Sequence, residues 1–208
     1  MKKWPVVLML IYFAVAGHAQ KISIFGGGNF SVFRSNTYDD FYKPAGTDFQ
    51  FGYNVGVDIT DIYLGLVNIR YQKTGGHFYF RNINKFLESD LTVKTIGLGV
   101  YPINLNIRKI FFIHAGCEVN YKISANMSNE EEYRSFFNYS SFYKDKSIQN
   151  NWNFGLGVMF SHHIQITDEF TLVPRTRLYF GLTNEFKNEV AKTALRTMSY
   201  EIVFKYEY

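Results

Sequence analysis

From Phe49 to Ile59 every second residue is apolar (Phe49, Phe51, Tyr53, Val55, Val57, Ile59), and the residues between them (Gln50, Gly52, Asn54, Gly56, Asp58) are polar or small. An extended chain turns alternate side chains to opposite faces, so the segment reads as a strand with one apolar face. The same period recurs along the chain. A first strand, about 21 to 33, carries Ile22, Ile24, Phe30 and Val32 on one face around Gly26-Gly27-Gly28, where it can bend. A third, about 62 to 80, sets Val67, Ile69 and Tyr71 against Asn68, Arg70 and Gln72. Its Leu64 and Leu66 fall out of phase, which requires either a bulge or an apolar plug on the polar side. A fourth, 91 to 101, places Ile96, Leu98 and Val100 beside Gly97 and Gly99. The fifth (Phe111, Ile113, Ala115, Cys117, Val119, Tyr121) and the sixth (Trp152, Phe154, Leu156, Val158, Phe160, Ile164, Ile166) alternate most cleanly. A seventh sets Phe170, Leu172, Leu178, Phe180 and Leu182 against Thr171, Arg175, Arg177 and Tyr179, with Pro174 interrupting the ladder at a bulge or interface position. The last places Met198, Tyr200, Ile202, Phe204, Tyr206 and Tyr208 opposite Ser199, Glu201, Lys205 and Glu207.

The connections alternate in length. Thr60-Asp61, Pro102 to Asn106 and Thr167-Asp168-Glu169 read as short turns, whereas 34 to 48, 81 to 90 and the segments after the fifth and seventh strands are long. Eight strands in this rhythm predict an all-β chain: an eight-stranded antiparallel up-and-down transmembrane β-barrel, with short periplasmic turns and longer external loops. Closure is obligatory, because each unpaired backbone group in hydrocarbon costs several kcal/mol. At eight strands side chains fill the interior, so an open solute pore is not expected. The residues assigned inward, Asp58, Arg70, Lys94, Glu118, Lys122, Arg175, Arg177, Glu201 and Lys205, carry both signs and suit an internal ion-pair network.

Composition agrees with a membrane wall. Aromatic residues make up 19% of the 208 residues, and interfacial girdles of a barrel demand such rings. The mean hydropathy of -0.14 is no objection, since half of each strand faces a polar interior. Residues 1–19 read as a signal peptide, with Lys2 and Lys3, an apolar core from Val6 to Ala16, and small residues at Gly17-His18-Ala19, leaving 20–208 as the barrel domain. The apolar run is shorter than the ~20 residues of a spanning helix. The formal charge of +4 includes Lys2 and Lys3, so 20–208 carries +2, and its dispersed bases give no support to nucleic-acid binding. Cys117 is the single cysteine and falls on the apolar face, which excludes an internal disulfide and points to packing.

No residue set amounts to a catalytic, cofactor or metal site. The triple glycine at 26–28 lacks the Lys-Ser/Thr pair and following helix of a phosphate loop. Ser161 and His163 share a face, with His162 between them, but the nearby acids are Asp168 and Glu169 in a turn. His114 and Glu118 stand ~13 Å apart along an extended strand, too far for one metal ion. The loop between strands five and six is the better candidate for contact with a partner. There Tyr133, Phe136, Phe137, Tyr139, Phe142 and Tyr143 crowd behind Glu130-Glu131-Glu132, as a cap, a hairpin extension or a sticky surface.

The leader, the eight alternating strands, the loop rhythm and the aromatic last strand resemble the small outer-membrane β-barrel family of the PorT-like and OmpX-like kind. That resemblance covers 20–208 and rests on pattern rather than a signature motif. It implies that Tyr200, Ile202, Phe204, Tyr206 and Tyr208 form the signal read by the barrel-assembly machinery, and a location in the bacterial outer membrane. The expected function is non-enzymatic, with external loops presented to an envelope protein and the wall in contact with outer-membrane lipids. An outer-membrane lipid hydrolase, a narrow channel and a soluble lipocalin-like carrier are the alternatives.

Overall fold

The computed structural model describes residues 19–35, 49–61, 65–82, 85–107, 110–128, 150–183 and 193–206. The period-two segments form β1 (Ala19–Ser35), β2 (Gln50–Asp61), β3 (Gly65–Asn82), β4 (Lys85–Ile107), β5 (Phe111–Met127), β6 (Trp152–His162), β7 (Ile164–Gln165), β8 (Phe170–Gly181) and β9 (Thr193–Tyr206). All pairings are antiparallel and join sequence neighbours, and two further ladders, β1 with β9 and β6 with β8, close the sheet into a barrel. β6 and β7 both pair with β8 and are two pieces of one wall strand, so the closed barrel has eight strands. The break has a cause in the sequence. Pairing from β6 stops at Ser161 with Arg175 and resumes from β7 at Ile164 with Leu172, which leaves Pro174 opposite the gap. Proline has no N–H to give that ladder.

The wall is inside out relative to a soluble protein. Ile24 is 61% and Phe51 66% exposed on the outer face, whereas Asn29, Asn68, Gln72 and Ser199 are fully enclosed. The out-of-phase Leu66 proves to be a plug and not a bulge. Register between β2 and β3 is unbroken from Tyr53 with Lys73 to Asp61 with Gly65, and Leu66 packs inside against Tyr101 and Met159. Leu64 lies outside the described residues.

Three sequence expectations are corrected. Pro102 to Asn106 is not a turn: β4 continues to Ile107, and β5 begins at Phe111. Register moves from Val100 with Cys117 to Ile103 with Ala115, so Tyr101 and Pro102 both oppose Gly116 in a bulge that accommodates the missing proline N–H. A side chain at Gly116 would run into the Val100 carbonyl, so the bulge needs glycine there. The segment 81 to 90 is not a long loop either, because β3 and β4 stay paired up to Asn82 with Lys85. Beyond Leu91, whose partner Met127 ends β5, and the Asp90–Ser128 backbone bond next to it, these two strands continue as a hairpin whose only ladder among the described residues is with each other. Finally, Lys94 does not point inward. It shares the phase of the exposed Ile96 and Leu98, while Val93 and Thr95 on either side are buried.

The barrel is pinched at β2. Asn29 of β1 donates from Nδ2 to the Lys73 carbonyl of β3 at 3.1 Å, and Ser31 Oγ takes the Gly75 N–H and faces the Gly75 carbonyl, both at 2.7 Å. Gly52 permits this approach, since a side chain there would collide with the Lys73 carbonyl.

Candidate functional site

The lumen is the most highly organised part of the described chain. Inward positions of five strands supply three guanidiniums, Arg70 (β3), Arg175 and Arg177 (β8), and three carboxylates, Asp58 (β2), Glu118 (β5) and Glu201 (β9). Arg70 donates from Nη1 to Asn68 Oδ1 at 2.6 Å and from Nη2 to Asn120 Oδ1 at 3.2 Å and to Glu118. Glu118 also accepts from the Tyr101 hydroxyl and from Arg177 Nη1, the latter at 3.0 Å to Oε2. Arg177 spans the barrel: its Nη2 reaches Gln72 Oε1 at 2.9 Å and Ser199 Oγ at 3.1 Å, and its Nε reaches Glu201 Oε1 at 3.3 Å. Arg175 joins Glu201 Oε2 (2.7 Å, from Nε) to Asp58 Oδ2 (2.5 Å, from Nη1), and its guanidinium lies 4.6 Å from the Phe25 ring centre. Asn54 donates to Glu201 at 2.6 Å and Asn68 to Asp58 at 2.6 Å.

The physical reason for so many partners is desolvation. A charge moved from water into a dry interior costs several kcal/mol even after relaxation, and is tolerated only when opposite charge and hydrogen bonds replace its water. Here the three guanidiniums meet the three carboxylates, so this interlocked set is neutral. Apolar side chains bracket it along the barrel axis. Phe25, Val173 and Val203, together with Leu66, Tyr101 and Met159, fill the end near the short turns. Leu91, Val93, Tyr179 and Leu195 are buried toward the other end. The arrangement cross-braces the wall.

All six charged members of this network were among the residues assigned inward from the sequence. Of the lysines assigned with them, Lys122 is buried, Lys205 is half-buried, and Lys94 lies on the outer face. Asn54, Asn68, Gln72, Asn120, Ser199 and Tyr101, which add hydrogen bonds to it, were missed. Their inward phase was visible, but which strands face one another across the lumen was not.

The other candidate chemistry does not assemble. Ser161 Oγ meets the Phe112 carbonyl at 3.5 Å, His162 packs on Phe111 with ring centres 4.6 Å apart, and His163 stacks on Phe112 at 4.1 Å. Glu169 accepts from the Tyr206 hydroxyl at 3.2 Å. Among the described residues no cluster of His, Cys, Asp or Glu could hold a metal ion. Cys117 is exposed on the outer face. The aromatic-loop residues Tyr133, Phe136, Phe137, Tyr139, Phe142 and Tyr143 lie outside the described residues, as do Tyr208 and residues 1–18 of the leader. Tyr200, Ile202, Phe204 and Tyr206 form an exposed outward row on β9.

A closed antiparallel barrel that hides its charges and exposes Ile, Leu and Phe is soluble only in a bilayer, and this architecture is the outer-membrane kind. The chain is an outer-membrane barrel. No helix among the described residues is long and apolar enough to cross a membrane, which is irrelevant to a wall made of strands. No family model matches the sequence, and no curated protein does. Among solved structures, Neisserial surface protein A superposes with a TM-score of 0.53 at 12% identity, covering 90% of this chain and 97% of that one. The outer membrane protein OprG from Pseudomonas aeruginosa gives 0.45 at 12% identity, over 92% and 98% of the two chains. The first likeness supports the fold alone; the second superposition is too loose to add to it.

Proposed function

We propose that this protein is a non-enzymatic outer-membrane anchor whose sealed barrel holds external segments for contact with another envelope component. The observation that carries the reading is the neutral, cross-lumen ion network between two apolar plugs. An interior filled in this way braces a wall and leaves no aqueous path. The β3–β4 hairpin, paired beyond the end of β5, and the aromatic segment from Tyr133 to Tyr143 are then the parts free to meet a partner. A place among PorT-like or OmpX-like barrels suits the strand pattern and loop rhythm. Insertion by the barrel-assembly machinery, reading the last strand from Tyr200 to Tyr208, suits its aromatic outward row. The lipid-hydrolase alternative loses support because the His162 and His163 rings beside Ser161 are packed on the phenyl groups of Phe111 and Phe112.

The test is a photo-crosslinking residue at Phe137, activated in intact outer membranes. A discrete protein adduct, absent when the crosslinker is placed instead at the outward-facing Ile96, agrees with the proposal. Crosslinks to lipid alone, together with phospholipid hydrolysis that Ser161→Ala abolishes, would replace it with the enzymatic reading.

A further inference from the structure

The outward turn of Lys94 creates a site. Lys94 on β4 is directly paired with Lys73 on β3, and both lie in the outward phase, so two ammonium stems stand side by side on the lipid-facing wall. Directly opposed residues on one face of an antiparallel pair have Cβ atoms about 4.5–5.5 Å apart, and like charges in that relation repel. The next residues in the outward row, Tyr53 beyond Lys73 and Ser124 beyond Lys94, bring no negative charge to relieve the repulsion. No carboxylate among the described residues forms an ion pair with either lysine.

Their height on the wall identifies what relieves it. Lys73 lies eight residues beyond Gly65, the first residue of β3. At ~3.3 Å per residue and a strand tilt of ~40°, that is a rise of roughly 20 Å, near the external edge of an apolar band ~25 Å tall. Aromatic rings mark the same level. Tyr53 packs on Tyr71 with centroids 6.2 Å apart, and Tyr121 on Trp152 at 4.8 Å, as interfacial residues do. The paired ammoniums therefore emerge from the hydrocarbon where lipid headgroups begin.

We propose that Lys73 and Lys94 form a two-pronged site for the phosphate of a lipid headgroup in the external leaflet. A phosphate monoester carries close to two negative charges at neutral pH and offers three acceptor oxygens, which matches two adjacent ammonium donors. A phosphodiester, with one charge, fits less well. Lipid phosphate at this point converts a repulsive cross-strand pair into a bridged one and fixes the height of the barrel in the membrane. The inference rests on the bilayer placement of the wall and not on the partner role of the external segments.

The test uses the full mature chain, folded in detergent and studied by native mass spectrometry with added phosphatidic acid, phosphatidylglycerol or phosphatidylcholine of one acyl composition. Retention of phosphatidic acid over phosphatidylcholine should exceed roughly tenfold, the scale set by two lysines at a membrane surface, with phosphatidylglycerol between them. K73Q/K94Q should abolish the preference, and K73R/K94R should restore it. Each variant is first shown to give the compact unheated gel band, so loss of folding is distinguished from loss of binding. Equal retention of the three lipids by the wild type, or a preference that survives K73Q/K94Q, would overturn the site. Failure of the wild type itself to give the compact band would overturn the barrel reading beneath it.

Discussion

Replacement of Glu118 by glutamine tests whether the lumen network carries the stability of the wall. The shape of the side chain is kept and one charge is removed, so the interlocked set goes from neutral to one uncompensated positive charge. Glu118 accepts from Arg70, Arg177 and Tyr101 at once, with Arg177 Nη1 at 3.0 Å. Hydrogen bonds to a charged group contribute about 1.5–3 kcal/mol each, and the amide oxygen of glutamine retains part of that. Removal of one partner from a buried ion pair costs about 3–5 kcal/mol. With a urea dependence toward the upper end of the usual range of about 1–3 kcal/mol per molar, the unfolding midpoint should fall by about 1–2 M. The assay is urea unfolding in detergent or vesicles, followed by the compact gel band and by Trp152 fluorescence. Combination with Arg70→Gln should cost at least ~1 kcal/mol less than the sum of the two single changes, because each already disables the same contact. A loss below ~1 kcal/mol for Glu118→Gln, or additivity within ~0.5 kcal/mol, would refute the reasoning.

Tyr101→Phe deletes only the hydroxyl that donates to Glu118 and should cost about 1.5–3 kcal/mol in the same unfolding assay, the range for a hydrogen bond to a charged group. Gly116→Val places a side chain against the Val100 carbonyl at the Tyr101-Pro102 bulge and should cost about 2 kcal/mol or more, read as loss of the compact band at moderate urea. Ser161→Ala removes a hydroxyl held only at 3.5 Å from a carbonyl; stability should stay within ~0.5 kcal/mol and lipid composition should not change on incubation with the purified protein.

The strands were legible because lipid outside and polar groups inside impose the same period-two rule on every one of them. The Phe49 to Ile59 segment shows that rule throughout and Phe111 to Tyr121 departs from it only at the inward Phe112, and the ladders of β2 with β3 and of β5 with β6 are continuous. The rule reports phase and says nothing about where a strand ends. Pro102 therefore read as a turn, although a bulge opposite Gly116 lets β4 pass through it. The 81 to 90 segment reads as a loop because its residues mix polar and apolar types, yet backbone pairing carries β3 and β4 as far as Asn82 with Lys85. Lys94 was placed inside because it is charged; its phase with Ile96 already put it outside. The lumen charges were legible one by one, whereas the bond from Arg177 to Gln72, more than a hundred residues apart, depends on barrel closure and has no local signature.

The barrel is closed and resident in the outer membrane. Its most direct test is to fractionate cells that make the protein and compare heated with unheated outer-membrane samples on a denaturing gel. A barrel of this kind should be recovered in the outer membrane and give a faster-migrating unheated band that shifts to full apparent mass on boiling. Recovery in the soluble periplasmic fraction with no mobility shift would contradict it and favour a carrier of the lipocalin-like kind.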